Sequence, residues 1–213
     1  MPAPNIPHLQ AAPDLLLTWL NANMLRAPVL NAGPPGTTWA TFTPATLLPG
    51  IPGGAAVAVN QHGAPMDVFD IGVGGGAGNG VPAYICNYAA GNCRHVDLGS
   101  LGDYCFTVTL NGCSFGVGPF GAAGGKRAAH ANSGGNAILQ RNQLQVAFGA
   151  GANLAGISLL QPNDYRRLSP TLNLQATVFG IRQGTQWRFY FQCYSSHTHG
   201  NYRVYGVFPF AVG

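Results

Sequence analysis

Apolar and polar positions alternate most clearly in the last third of the chain. Residues 171–179, 186–194 and 202–210 are long alternating or aromatic runs, and Gln183-Gly184 supplies a turn between the first two. A period of two sends successive side chains to opposite faces, so these runs predict three long strands. Residues 104–110 alternate in the same way, with Tyr104, Phe106, Val108 and Leu110 on one face and Cys105, Thr107 and Thr109 on the other. Shorter strands are predicted at 38–43, 56–60, 66–71, 84–88 and 128–131. Helical signals are fewer. Asp14 suits an N-cap for a helix through Leu15, Leu16, Trp19, Leu20 and Leu25 that Pro28 ends. Residues 136–147 fit a helix, with strand as the competing reading. Residues 1–13 read as an extended, proline-rich arm, 31–54 as an irregular stretch and 72–80 as a glycine-rich loop. The pattern predicts a single domain over residues 1–213. Its class is α/β but β-rich, a β-sandwich or mixed sheet with a few helices packed on it.

Composition sharpens this. There is no Glu and one lysine, Lys126, against nine arginines, so the residues that usually fill exposed helix faces are missing. The net charge of +4 comes from scattered groups with no basic run, which argues against nucleic acid as a partner. No apolar stretch approaches the length of a transmembrane helix, so no membrane span is expected. The first basic residue is Arg26, so a secretory leader with a basic n-region is not expected either. Five cysteines (Cys86, Cys93, Cys105, Cys113 and Cys193) in a chain of this size favour free thiols, one of them reactive, over a disulfide framework.

The segment with the most chemistry is Thr107-Val108-Thr109-Leu110-Asn111-Gly112-Cys113, followed by His130. A strand runs into an Asn-Gly turn that presents a thiol. Asn-Gly tolerates positive φ, so the chain reverses sharply and turns amide N–H groups outward. Such amides stabilise a thiolate and then an oxyanion, and a histidine on a neighbouring strand takes the thiol proton. His130 follows Cys113 by 17 residues across a Gly/Ala-rich connection, a length that suits the paired strand. A Cys after Gly at a strand end is as often an inert core residue, and a lone histidine nearby is more often packed or solvated.

Leu110-Asn111-Gly112-Cys113 with a strand histidine resembles the Leu-Ser-Gly-Cys…His core of the cytotoxic-necrotizing-factor-like glutamine deamidase toxins, and in length the Burkholderia lethal-factor type among them. In that type a threonine stands six residues before the cysteine, the place of Thr107 here. Asn111 replaces the usual serine, and the Cys-to-His interval is longer, so residues 116–125 are expected to form a loop that absorbs the extra length. The resemblance implies a mixed β-sandwich core with surrounding helices. It also implies a toxin or effector, with no cofactor or metal, that hydrolyses a glutamine side-chain amide of a host protein. Cys113 would be the nucleophile and His130 the acid–base group, with Thr107 orienting the imidazole or contacting substrate. Backbone amides near Gly112, in the turn with Asn111, and of Cys113 itself would hold the oxyanion. Translation factors and small GTPases are targets within the family. A monomer that acts in the host cytoplasm is the matching expectation.

Other signals carry less. Gly72-Val73-Gly74-Gly75-Gly76-Ala77 imitates a dinucleotide fingerprint, but Pro82 and a strand follow where a helix belongs. His197 and His199 with His95 and Cys193 fit no tight zinc spacing. Asp67 and Asp70 suit an ion pair or turn better than a glycosidase pair. Arg166-Arg167 reads by default as a solvated face. Trp187, Phe189, Tyr190 and Phe191 read as core. Two other functions fit the chain: a Cys-His protease or transglutaminase, and a non-enzymatic β-sandwich binding module in which Cys113 is a core thiol.

Overall fold

A computed structural model describes residues 4–28, 37–46, 55–121, 125–149, 154–169, 171–197 and 200–212. The chain is β-rich with few helices, arranged as a barrel and a second sheet. In chain order the barrel strands are β1 (Asn23–Arg26), β2 (Thr37–Pro44), β3 (Val57–Asn60), β4 (Pro65–Val73) and β5 (Val81–Cys86). The second sheet contributes β6 (Cys93–Leu98), followed in the barrel by β7 (Tyr104–Thr107). Then come β8 (Ser114–Pro119), β9 (Lys126–Ala131) and β10 (Ser158–Leu160) of the second sheet. The barrel resumes with β11 (Leu174–Gln183), β12 (Gln186–Ser196) and β13 (Asn201–Val212).

Closure rests on one short strand. The order runs β4-β2-β5-β7-β11-β12-β13-β3, and β3 pairs both with β13, in parallel, and with β4, antiparallel. Among the described residues β3 closes the ring, meeting β13 over Asn201–Val204, and β1 is added beyond the ring as a parallel partner of β4. Register shifts at Phe189/Tyr190 and Cys193/Tyr194 bend the β12–β13 ribbon as a curved wall requires. The expected sandwich is thus replaced by a barrel with a four-stranded sheet, in the order β10-β8-β9-β6, laid against it. Alternation revealed which positions are buried. It did not reveal that β5 and β7 bury both faces, which puts them between two cores.

Those cores divide the alternation cleanly. Val81, Ala83 and Ile85 of β5 and Tyr104 and Phe106 of β7 fill the barrel with Phe42, Phe69, Phe179 and Ile181. Tyr84, Cys86 and Cys105 point the other way. They join Val96, Phe115, Val117, Ala128, Trp187 and Phe189 in the seam between barrel and sheet.

Among the described residues the helices are α1 (Ile6–Ala11), α2 (Leu15–Leu20), α3 (Ala137–Ala147) and α4 (Pro162–Arg166). The expected extended arm is corrected by α1. Asn5 caps it by accepting from the His8 N–H, and Tyr104 Oη donates to Leu9 O at 2.9 Å. Leu9, Leu16 and Leu20 enter the barrel core. Helix α2 stops at Leu20 rather than reaching Leu25, because Leu25 belongs to β1. Helix is the outcome for 137–147, where Asn136 accepts from the Ile138 and Leu139 amides. Of the irregular 31–54 stretch, residues 31–36 and 47–54 lie outside the described residues. No described helix is long and apolar enough to cross a membrane.

Gln192, fully buried on β12, ties β1 and α2 to the barrel. It accepts from the Leu25 N–H at 2.8 Å and donates to Asn23 O at 2.8 Å and Leu20 O at 3.3 Å. Gln192→Leu keeps the bulk but orphans three backbone groups. It is expected to cost about 2–3 kcal/mol, read as a Tm drop of roughly 5–10 °C.

Candidate active site

Cys113 stands immediately before β8, at the end of the turn that Asn111 and Gly112 make after β7. Gly112 has φ +82°, the left-handed backbone a side chain disfavours. Four polar contacts brace this turn. The Gly112 N–H donates to Tyr165 Oη at 2.9 Å, and that hydroxyl donates to Cys113 O at 3.2 Å. Gln140 Nε2 donates to Gly112 O at 2.7 Å, while Gln140 Oε1 accepts from Ser114 Oγ at 2.5 Å. One correction follows. The Gly112 amide expected to hold an oxyanion is already committed to Tyr165. Burial also pushes the Tyr165 phenol well above its ordinary range, so it stays protonated and can donate.

His130 lies on β9, paired with the strand that follows Cys113. The register sets Ser114 opposite Ala131 and Phe115 opposite His130. Directly opposed residues project to one side, so His130 and Phe115 share the seam face, while Ala129 and Ala131 pack under α3. Cys113 packs in the same seam cluster as Phe115. It stands diagonally from His130, a position where Cβ atoms are in general about 7 Å apart. The stretch expected to be a loop, 116–125, is corrected. Residues 116–119 belong to β8, and the long interval is the length of a β8–β9 hairpin.

From the barrel side β7 delivers Thr107. Because Phe106 fills the barrel, Thr107 faces the seam, where it is fully buried. Its Oγ1 lies 2.8 Å from His130 Nδ1 and 2.6 Å from Cys86 O. A carbonyl only accepts, so the hydroxyl proton goes to Cys86 O and the hydroxyl accepts from Nδ1–H. That fixes the tautomer: Nε2 carries the lone pair. Nε2 is buried with no hydrogen-bond partner, the thiol of Cys113 included. Burial lowers the His130 pKa to about 3, so the ring is neutral near neutrality. The Cys113 thiol is raised by burial and pulled back partway by the Asn111 backbone N–H and Arg166. The resting pair is therefore neutral thiol and neutral base. Tyr88 covers the imidazole, the ring centroids 6.1 Å apart.

Of the residues singled out in the sequence, the structure brings Thr107 to His130 and leaves Cys113 without a hydrogen bond to Nε2, and the groups around them were not read. Gln140 shares a buried helix face with Leu144 and Ala147, so a polar residue at an apolar-periodic position was its signal. Tyr165 and Arg166 arrive on α4, far along the chain, with no local signal. Arg166 is not a solvated face: its Nη2 comes within 3.2 Å of where a Gly112 Cβ would sit.

The remaining candidates lie elsewhere. All five cysteines are free. Cys193 is buried in the seam, His197 Nε2 lies 3.1 Å from Ser195 Oγ, and His199 falls outside the described residues. Among the described residues no three His, Cys or Asp side chains are grouped to hold a metal. Asp70 pairs with Arg26 at 2.7 Å, and the glycine-rich stretch leads into β5 rather than a helix. Trp187, Phe189 and Phe191 pack in the seam, and Tyr190 stacks on Phe179.

A neutral buried histidine links stability to acid. With a folded pKa of about 3 against an ordinary 6.5, the unfolded chain binds the proton first. Its contribution is therefore present above 6.5 and lost as pH falls toward 3, at up to about 1.4 kcal/mol per pH unit. His95, lowered by burial and Arg127, has the same sign. Denaturant unfolding of the wild type and His130→Gln across this range isolates His130, and the variant is expected to show the shallower decline. A tautomer test accompanies it. In nitrogen NMR spectra Thr107→Val should abolish the single Nδ1–H form of His130 that the wild type shows.

No family model matches the chain, and no curated protein matches it.

Proposed function

We propose that the protein is a cysteine-dependent amidohydrolase that deamidates a glutamine side chain of another protein, as a toxin or effector acting on a host target. The observation that carries this reading is the buried Thr107–His130 hydrogen bond, which leaves Nε2 as an unpartnered base on β9, the partner of the strand that Cys113 immediately precedes. An inert core histidine gains nothing from a buried lone pair without a partner, and leaving it so costs about 1–3 kcal/mol. Stored cost of this kind is expected where a substrate completes the network.

The reaction balances without a cofactor. The Cys113 sulfur bonds to the carboxamide carbon, the thiol proton passes to His130 Nε2, and the carbonyl π electrons move onto oxygen. Collapse of that oxyanion breaks the carbon–nitrogen bond, and His130 returns the proton to the departing nitrogen as ammonia. Water, deprotonated by Nε2, then cleaves the thioester to the glutamate carboxyl and regenerates the thiol. The Asn111 N–H, which already acts on the thiol, and the Cys113 N–H are the backbone donors of the turn proposed for the oxyanion. The reading keeps the fold type of the deamidase toxins only in its seam, where two sheets face each other as in a sandwich core. A translation factor or a small GTPase of the host cytoplasm is the proposed target class, met by a monomer.

The test is incubation of the protein with host-cell lysate, followed by ammonia measurement and intact-mass analysis of lysate proteins. A gain of about one dalton per modified site is expected with wild type and none with folded Cys113→Ala, since the thiolate is the nucleophile. Thr107→Val should lower the deamidation rate at least tenfold with little change in KM, and Thr107→Ser should recover part of it. Wild-type activity in a folded Cys113→Ala protein would overturn the reading.

A further inference from the structure

We propose that Arg166 is a further catalytic residue, its guanidinium supplying the positive charge that stabilises the Cys113 thiolate and the oxyanion that succeeds it. The inference rests on the deamidase reading for the oxyanion but not for the thiolate. Three observations lead to it. First, α4 is fastened to the nucleophile turn by Tyr165, which holds both Gly112 N and Cys113 O, so the neighbouring residue Arg166 has a fixed address. Second, Gly112 has no side chain where Arg166 Nη2 lies: a Cβ there would stand 3.2 Å from it. The missing side chain thus serves the approach of the guanidinium as well as the backbone turn. Third, the charge is uncommitted. Arg26, Arg127 and Arg182 each pair with an aspartate, whereas Arg166 has no ion-pair partner among the described residues and its buried Nε has no acceptor.

These facts pair with those at His130. Around Cys113 one buried acceptor, His130 Nε2, and one buried donor, Arg166 Nε, both lack partners. A carboxamide supplies the complement of each: its NH₂ donates to a ring nitrogen, and its oxygen accepts from a guanidinium. As the carbon–sulfur bond forms, negative charge moves from sulfur to that oxygen, and one fixed cation beside the turn serves both stages. The same cation lowers the Cys113 thiol against the burial that raises it. With the Gly112 N–H spent on Tyr165, this arginine takes the part expected of that amide.

The test reads the thiol directly. Alkylation of Cys113 by iodoacetamide is followed across pH by peptide mass spectrometry in wild type, Arg166→Gln and Arg166→Lys, each checked for an unchanged Tm. Removing an opposite charge is expected to raise the thiol's apparent pKa by about one unit or more, which slows alkylation at pH 7 about tenfold. Arg166→Lys should recover part of the loss. Iodoacetate, the anionic counterpart, gives a ratio independent of thiol ionisation. The iodoacetate-to-iodoacetamide rate ratio should fall several-fold in Arg166→Gln, as for any anion losing a fixed cation. If burial shields the thiol from both reagents, the Cys113 Cβ carbon shift followed across pH reports the same titration. An unchanged pH profile and unchanged ratio in Arg166→Gln would overturn the proposal. Neither readout involves a glutamine substrate, so absence of deamidation in the wild type would sink the functional reading and leave this result standing. Where deamidation is measured, Arg166→Gln should lower kcat more than it raises KM.

Discussion

Burial of side chains in the seam between the barrel and the four-stranded sheet sets the protonation states of the groups that meet there. Tyr84, Phe115, Trp187 and Phe189 line the seam, with Phe210 packed against Phe115 and Phe189. In such surroundings an imidazole cannot draw hydrogen bonds from solvent, so the Thr107 hydroxyl decides which nitrogen carries the proton. Desolvation also removes the option of a resting thiolate–imidazolium pair, since both ions are disfavoured by burial. In a site built this way the buried polar groups stay uncharged until another polar group enters.

Bracing of the Asn111–Cys113 turn depends on a longer chain of contacts. Arg127 on β9 forks onto Asp97, lies 3.1 Å from the centroid of the Phe120 ring, and donates to Ala147 O at the end of α3. That anchors α3 over the outer face of the sheet, and α3 in turn carries Gln140 to Gly112 and Ser114. Helix, sheet and turn therefore form one rigid support, with Tyr165 gripping the turn from the opposite element.

The long strands of the last third were legible because their alternation is strong, and Thr107 was legible because its neighbours Phe106 and Val108 demand the barrel side. Strand β8 was not. Gly116 and Gly118 read as loop glycines, yet they sit within the strand because Leu144 and Phe148 press on one and Ile157 on the other. A Cβ at Gly118 would come within 2.7 Å of Ile157, so the glycine is chosen for proximity rather than for freedom. Barrel closure was hidden for another reason: it hangs on β3, four residues that serve two partners at once. Arg166 was hidden because its significance is purely spatial. Nothing beside it in sequence distinguishes a guanidinium over a glycine from one in solvent.

The β8–β9 hairpin makes the spacing between Cys113 and His130 an elastic quantity. Pairing fixes Phe115 against His130 at the base and Pro119 against Lys126 at the far end. Residues added in pairs, one to each arm, lengthen the ribbon outward and leave the base untouched; a single addition has to be taken up by a bulge or by the bend itself. A pattern search for sites of this construction should therefore let the interval stretch in steps of two and hold rigid only the residues before the cysteine. The same geometry marks the hairpin's outer end as the place to graft an epitope or fluorophore without disturbing what lies at its root.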